Sequence, residues 1–484
     1  MSKIMNRPPV VVVLGHVDHG KTTLLDYIRK SDVANKEAGN ITQKIGGYET
    51  EVPIKGYQTN RITFIDTPGH EAFSALRLRG ANVADIAILL VDATASVQPQ
   101  TIESISHILQ AKIPYVVAAN KIDMPSAQID RIKKDLAKHN VLTEGFGGSI
   151  PIVPISAKTG QGVNDLLEAI LYLASESNLT FEEDAKIEAY VVETHHEKAG
   201  LAVACIIKNG TMKVADTIYA GDKEAKIRSL ISDRGISLQK VLPSAPFVVF
   251  GFKEMPLVGV KITEQPVTNE AEAVSPADQK EGFDDFFEAD DTKKLRVIIR
   301  ADSQGSLEAI LPPLLKNGNI EVVLSSVGEV AKSDIFLARI SKAIIIGFNT
   351  HISKPIEKLA SEEKVIIKTY NIIYNLFEEL EEVSTLLKEK ESREKSLKGE
   401  AKIQAVFTIE NNRIAGVKVN KGRIDIKDKI ELYRGGQLKA ETQVTSIKQR
   451  AKAVKEVKKD QEAGLHFEPE LDIQAGDVIK SYSI

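Results

Sequence analysis

One cysteine, Cys205, is present among 484 residues. That scarcity excludes a disulfide framework and a cysteine-based metal site, and it fits a reducing compartment. Cys205 falls in the apolar run 203–207, where it is expected to act as a small core residue. No apolar run is long enough to cross a bilayer. Residues 1–9 hold neither the apolar core of a signal peptide nor an arginine-rich amphipathic presequence. The expectation is a cytoplasmic protein with no membrane partner. A uniform basic excess is also missing: 63 Lys and Arg against 67 Asp and Glu leave a net charge of −4. This excludes an evenly basic nucleic-acid binder and leaves room for a local basic surface. What remains, 43% hydrophobic and 27% charged, is ordinary globular material with apolar content for several cores. The length suggests about three domains.

The most specific stretch is Gly15-His16-Val17-Asp18-His19-Gly20-Lys21-Thr22. It fits the pattern G-x-x-x-x-G-K-[ST], follows the apolar run 10–14, and precedes Leu24, Leu25 and Ile28 at helical spacing. Strand, glycine-bracketed loop and helix start form the setting in which backbone N–H groups and a helix N-terminus meet a triphosphate.

From residue 10 to about 177, apolar runs alternate with helical patterns. Strands are expected at 10–14, 62–65, 86–91, 115–119 and 152–155, and helices at 72–78, 102–109, 129–138 and 164–173. The alternation implies a mostly parallel sheet covered on both faces, with its chemistry at the carboxyl ends of the strands. Three such ends carry polar signatures. Asp66-Thr67-Pro68-Gly69-His70 offers a carboxylate that can hold Mg²⁺ through water and a Gly69 amide that can approach a γ-phosphate. Asn120-Lys121-Ile122-Asp123 offers a carboxylate able to accept from N1–H and N2–H₂ of guanine, a pattern adenine lacks. Ser156-Ala157-Lys158 can close over the base through its backbone. Each alone is common turn chemistry; in this order, behind a phosphate loop, they specify a guanine nucleotide. The predicted GTP/GDP contacts are Gly15, His16, Val17, Asp18, His19, Gly20, Lys21, Thr22, Thr23, Gly69, Asn120, Lys121, Asp123, Ser156, Ala157 and Lys158.

On these motifs, residues 8–174 resemble the GTP-binding domain of the translational GTPases. Gly39-Asn40-Ile41-Thr42-Gln43-Lys44-Ile45-Gly46 narrows the resemblance to bacterial translation initiation factor 2, in which Gly replaces Asn40. The resemblance implies that Thr42 joins Thr22 and, through water, Asp66 around Mg²⁺, and that catalytic His70 orients the attacking water. It also implies a monomer whose partners are the small and large ribosomal subunits, formyl-methionyl initiator tRNA and other initiation factors. Many members carry a long N-terminal extension that is not seen ahead of residue 8.

The rest of the chain reads as a multidomain α/β plus β architecture. A P-loop GTP-binding domain at 1–178 is followed by an antiparallel β-barrel at 185–262, with glycine turns between short strands at 187–193, 201–208, 226–230 and 247–250. His195-His196-Glu197 reads as a solvated hairpin loop rather than a metal site, because adjacent strand histidines face opposite ways. Residues 263–292 are an acidic linker, with Phe283, Phe286 and Phe287 as exceptions. A small α/β domain at 293–370 has strands at 295–300, 320–324, 343–347 and 364–368 and helices at 307–315 and 354–361, with no second nucleotide motif. A long connecting helix is expected at 371–399, charged on every side after Leu387. A second β-barrel follows at 400–484, with strands at 401–409, 416–419, 429–433, 441–448 and 477–481. Its basic stretch 446–459 suits RNA phosphates, and equally an ordinary solvated edge. In the resembling family this barrel holds the formyl-methionyl end of the initiator tRNA. Only Lys448, Glu462 and Gly464 carry over, and Val417 and Ala463 stand where the family commonly has cysteine.

Rival readings are an elongation-type or tRNA-delivery GTPase, a metabolic GTPase, and a non-enzymatic GTP-gated RNA-binding scaffold. The first lacks a use for 293–368, and the second would need another catalytic constellation.

Overall fold

The computed structural model describes residues 4–30, 46–69, 71–197, 199–266, 294–409, 412–450, 452–469 and 472–482. The chain forms two compact bodies that part after Glu378.

The first module of the first body contains β1 (Ile4–Asn6), β2 (Val10–Gly15), α1 (Lys21–Arg29), β3 (Gly46–Glu51), β4 (Arg61–Asp66), α2 (Ser74–Val83), β5 (Ile86–Asp92), α3 (Pro99–Ala111), β6 (Tyr115–Asn120), α4 (Ile129–Ala137), β7 (Ile152–Pro154), α5 (Val163–Glu176) and β8 (Thr180–Glu182). Six of these strands form one sheet in the order β3-β4-β2-β5-β6-β7. All its neighbours are parallel except the β3–β4 pair. β2 and β5 are buried along their whole length, which explains their unbroken apolar runs. Val11 and Val13 face the core shared with Leu24 and Leu25 of α1 and Leu166 and Ile170 of α5. Gly80 of α2 packs against Val12 on the other face. The expected helix at 72–78 starts as a 3₁₀ turn, Glu71–Phe73, and becomes α-helical at Ser74. This is the tightened geometry usual at a helix start.

The second module is a barrel-like sheet. Its strand order is Thr217–Ala220, Lys261–Thr263, Glu188–Glu197, Gly200–Asn209, Pro246–Phe252, Lys223–Ser232 and Ser237–Leu238, and a further Thr217–Ala220 to Lys223–Ser232 pairing closes it. Cys205 is buried in its core. His195-His196-Glu197 is not a loop. These residues end the strand Glu188–Glu197, with His195 opposite Ala202 and His196 opposite Leu201. Pairing reaches Glu197 opposite Gly200, so the polar residues sit on a ladder rather than beyond it. Thr263, assigned to the linker, belongs to the strand Lys261–Thr263; the linker residues 267–292 lie outside the described residues.

A buried charge cluster fastens this barrel to the first module. Arg7 donates to both oxygens of Asp85 at 2.6 and 2.7 Å, and Lys208 donates to Oδ1 at 2.6 Å. Ser244 accepts from Arg7, and its carbonyl accepts from Thr63 at 2.6 Å. Burial alone would raise the Asp85 carboxyl; the two cations outweigh it and hold it at about 2.

The third module orders its strands Ile320–Val327, Leu295–Ala301, Ile344–Phe348 and Ile367–Tyr370, the last three parallel. Its helices are α6 (Gln304–Lys316), α7 (Lys332–Ser341) and α8 (Lys354–Glu362). α7 was not expected, and the last strand begins three residues later than 364 because residues 363–364 finish α8 and its turn.

Helix α9 (Ile373–Ser396) has 24 residues, about 36 Å at 1.5 Å per residue. The strand Leu397–Ile409 follows with no intervening loop, so residues 397–399 belong to the terminal barrel and not to the helix. Lys398 anchors that joint, donating to Asp428 at 2.7 Å and Asp425 at 3.2 Å. The terminal sheet runs Leu397–Ile409, Val478–Tyr482, Lys429–Arg434, Gln437–Gln449, Glu462–Glu468, Asn412–Asp425 and Glu456–Lys458, and it closes through pairing of the strands Leu397–Ile409 and Asn412–Asp425. The strand Glu462–Glu468 was missed in the sequence.

Candidate guanine-nucleotide site

The carboxyl ends of β2, β4 and β6 converge, and the predicted motifs converge with them. Gly15 and Gly20 have φ of 150° and 93°, and the space is as restrictive as the angle. A Cβ on Gly15 would lie 2.4 Å from the Leu90 carbonyl oxygen, and one on Gly20 would lie 2.5 Å from Asn120 Nδ2. Glycine is therefore required at both positions. Lys21 opens α1 and folds its ammonium back onto the loop, donating to the carbonyls of Gly15 at 3.0 Å and His16 at 2.8 Å. Burial lowers its pKa to about 8, against the opposing influence of Asp66. The loop is braced at Val17, whose N–H donates to Gln100 Oε1 at 2.9 Å.

His19 is 2% exposed, and burial lowers its pKa to about 4, so the ring is neutral near pH 7. Its Nδ1 lies 3.2 Å from the Leu90 carbonyl and 3.3 Å from the Asp92 N–H. The tautomer decides which of these two bonds forms. His16 meets His19 edge to face at 5.2 Å, and burial followed by Lys21 lowers its pKa too.

Asn120 links the base-side loops to the phosphate loop. Its Nδ2 donates to the His19 carbonyl at 2.8 Å, and its Oδ1 accepts from Ala157 N–H at 2.8 Å. Ser156 donates to Asp123 Oδ1 at 2.7 Å and so orients that carboxylate, while Thr159 N–H donates to Ser156 Oγ at 3.2 Å. Lys121 pairs with Asp92 at 2.7 Å. A cavity of about 850 Å³ beside this loop is lined by Thr23, Tyr27, Ala157, Lys158 and Asn164.

Asp66 ends β4 opposite Val13 of β2, with Thr67 donating to the Val13 carbonyl at 2.8 Å. Arg77, fully buried on α2, donates to the Pro68 carbonyl at 3.1 Å and pairs with Glu103 at 2.7 Å, which braces the loop from behind. Gly69 lies against Lys21 and Val17. Thr42 and His70 lie outside the described residues.

Three supporting residues escaped the sequence reading: Asp92, Arg77 and Gln100. Asp92 left a signal, a carboxylate at the carboxyl end of a central parallel strand. Arg77 and Gln100 lie within helices and act on backbone atoms, which no motif reports.

In the terminal barrel, Lys448 stands opposite Gly464, and Glu462 opposite Lys418. The three carried-over residues therefore share one outer surface. Val417 and Ala463 are direct cross-strand partners on the inner face, 1% and 7% exposed.

Comparison with known proteins agrees with this geometry. Residues 6–176 match the Elongation factor Tu GTP binding domain family, 186–265 match Elongation factor G domain 2, and 270–381 match Translation-initiation factor 2. Translation initiation factor IF-2 of Halothermothrix orenii is 40% identical over 500 residues, covering 99% of this chain and 72% of that protein. Its namesakes from Syntrophomonas wolfei and Persephonella marina are 38% and 40% identical, covering 100% and 99% of this chain. The chain spans 56% of the length of each of these two relatives. No helix among the described residues is long and apolar enough to cross a membrane. A guanine-nucleotide site built on these loops, within a chain that aligns with these relatives along almost all of its own length, places the protein in the translation initiation factor IF-2 family, as a translational GTPase of the initiation class.

Proposed function

We propose that the protein uses GTP to place formyl-methionyl initiator tRNA on the small ribosomal subunit and to promote joining of the large subunit, after which ribosome-stimulated hydrolysis yields GDP and phosphate. The observation that carries this reading is the Asn120 bridge between phosphate loop and base-side loop, within a chain whose residues 270–381 match Translation-initiation factor 2. Lys21 neutralises charge on the β- and γ-phosphates, and Asp123 accepts from guanine. His70 orients the attacking water.

Thr22 and Asp66 offer only oxygen donors beside the phosphate loop, a set suited to Mg²⁺, with Thr42 as a third. Bound there, Mg²⁺ would neutralise β- and γ-phosphate oxygens. Loss of the γ-phosphate then releases Thr42 and the 66–70 loop, an order–disorder switch of the kind GTPases use. With no arginine finger evident, intrinsic turnover is slow, and an external activator supplies a gain that in small GTPases reaches about 10⁵-fold.

At the far end, the outer face of the terminal barrel supplies the tRNA contact. Phe407 is 53% exposed, and its ring lies across Gly416, leaving 2.8 Å from Cε2 to the position of a Cβ there. Ile414 covers Gly464 in the same way at 3.0 Å. Exposed Lys448 and Glu462 flank this shallow apolar floor. Phe407 and Ile414 are the lining for the formyl-methionyl group, where the inward-facing Val417 and Ala463 cannot be. The protein acts in the cytoplasm as a monomer, alongside other initiation factors.

Turnover with and without ribosomes, together with binding of formylated and unformylated initiator tRNA, tests the proposal. Stimulation by ribosomes and preference for the formylated form are expected. His70→Ala should abolish stimulation with GTP affinity nearly unchanged. Equal binding of both tRNAs would reject the initiator role, and an unstimulated rate would favour the scaffold reading.

A further inference from the structure

Tyr27 is a large aromatic residue left 46% exposed beside the base-side loop. It belongs to α1, the helix that Lys21 opens, and shares a face with Thr23 four residues earlier. Both residues line the cavity of about 850 Å³ together with Ala157 and Lys158. The covered part of the ring rests on Gly160. A Cβ placed there would overlap the ring edge, with the Tyr27 hydroxyl oxygen and Cζ as its nearest neighbours. Gly160 also has a φ of 85°, in the left-handed region, so two separate constraints call for glycine. The missing side chain is what lets the ring reach the backbone.

Gly160 closes the turn that serves the base. Its N–H donates to the Ser156 carbonyl at 2.8 Å, and its carbonyl accepts from Val163 N–H at 3.2 Å, at the start of α5. Within this turn Ser156 donates to Asp123, and Ala157 N–H donates to Asn120. Asn120 ties Ala157 to the phosphate loop, and Tyr27 ties Gly160 to α1. The turn is therefore held near both of its ends by elements that begin at the phosphate loop.

We propose that Tyr27 is a positioning residue for guanine recognition, whose ring keeps the 156–160 turn closed and so keeps Asp123 and the Ala157 amide in place for the base. The inference rests on the guanine-nucleotide reading of this site. Tyr27 acts through the turn, so its loss loosens the hold on the base and spares the contacts of the phosphate loop. GTP and GDP share that base and should respond alike. The effect belongs to release, since a turn that opens more often frees a bound nucleotide without slowing its arrival.

Stopped-flow dissociation of fluorescent GDP, and of a fluorescent non-hydrolysable GTP analogue, from the full chain tests this. Tyr27→Ala should release both about tenfold faster, the size expected from losing roughly half of a large side chain's apolar contact. Association should change by less than about twofold. The preference for GDP over inosine diphosphate, which lacks the 2-amino group assigned to Asp123, should shrink as well. Tyr27→Phe keeps the ring and should return the rates to within about twofold of the wild type. Adding Ser156→Ala to Tyr27→Ala should speed release by less than about twofold, because both residues act on one path. Unchanged release in Tyr27→Ala, a loss confined to GTP, or full multiplication of the two single effects would overturn the proposal. A lower thermal midpoint with an unchanged preference for guanine over inosine would overturn it too, as the mark of a purely structural role. Failure of the wild type to bind guanine nucleotides would instead reject the functional reading beneath it.

Discussion

The side-chain amide of Asn120 donates to the backbone carbonyl of His19 at 2.8 Å, which fixes the loop proposed to recognise guanine to the loop proposed to hold phosphate. The same amide accepts from Ala157, so three loops share one group. Asn120→Asp would place a carboxylate oxygen against the His19 carbonyl. Losing a buried hydrogen bond and leaving its partner unsatisfied costs about 1–3 kcal/mol. GTP and GDP affinities should therefore fall together, by roughly 10- to 100-fold in a fluorescent-nucleotide titration. A loss confined to GTP would show that the bridge serves the γ-phosphate alone.

Asp123→Asn should move the preference from GTP to xanthosine triphosphate, since a carbonyl replaces the 2-amino donor of guanine. Ser156→Ala removes the hydroxyl that orients Asp123 and should weaken GTP about fivefold, a typical hydrogen-bond contribution, without changing the preferred base. Competition between the two triphosphates measures both, and unchanged choice in Asp123→Asn sinks the guanine assignment.

Lys21 predicts a pH dependence. Burial holds its pKa at about 8 in the nucleotide-free protein, and the triphosphate, being anionic, binds the charged form. Affinity should be flat from pH 7 to 8 and weaken above pH 8 by up to about tenfold per unit as binding comes to require proton uptake. Calorimetry in buffers of different ionisation enthalpy would detect that proton; a flat profile to pH 9.5 would contradict the burial of Lys21.

Asp85 acts on stability. Its folded pKa of about 2 lies below the ordinary aspartate value of 3.8, so its contribution is present above pH 3.8 and is lost as pH falls through 2. A depression of this size is worth about 2 kcal/mol at 1.36 kcal/mol per unit. Asp85→Asn should remove most of that acid-dependent loss in denaturant titrations at pH 5 and pH 2.5. If variant and wild type lose stability in parallel, other carboxylates carry the acid response.

The terminal barrel separates two explanations of tRNA recognition. Val417→Cys is nearly isosteric and lies inside, so affinity for formylated initiator tRNA should change less than twofold, well within what a volume-conserving core exchange allows. Phe407→Ala, on the outer face, should weaken it by about tenfold, as loss of roughly 1.5 kcal/mol of apolar contact would. The opposite ranking would return recognition to the interior pair.

Where residues bury both faces of a strand, as in β2, pattern and structure coincide, because no polar alternation is needed. The placement of the nucleotide motifs at the carboxyl ends of β2, β4 and β6 was legible for a related reason: each motif is a fixed spacing along a single loop after a buried strand. Helix α7 was not, because Phe336 and Ile340 are exposed at 44% and 76% on the face opposite Ile335 and Ala338, which blurs the apolar stripe. The strand Glu462–Glu468 was overlooked, although Ala463, Leu465 and Phe467 alternate with polar residues, because Gly464 reads as a turn. His195 and His196 read as a loop because solvated polar residues suggest one; His196 and Glu197 are indeed exposed, but pairing to Ala202 and Leu201 keeps both histidines on a ladder. Arg77 could not be found from sequence at all, since its partner lies 26 residues away.

The absence of a loop between Ser396 of α9 and Leu397 of the terminal barrel leaves that joint no slack. Side chains along a strand alternate between faces, so one inserted residue would exchange inside for outside along the strand Leu397–Ile409. Ala401 and Ile403 would turn outward, and Lys402 would turn into the core. Lys398 would leave Asp428 at the same step. The register of this first barrel strand, with its bulges at Leu397–Gly399 and Glu400–Ala401, thereby decides which of its residues enter the core.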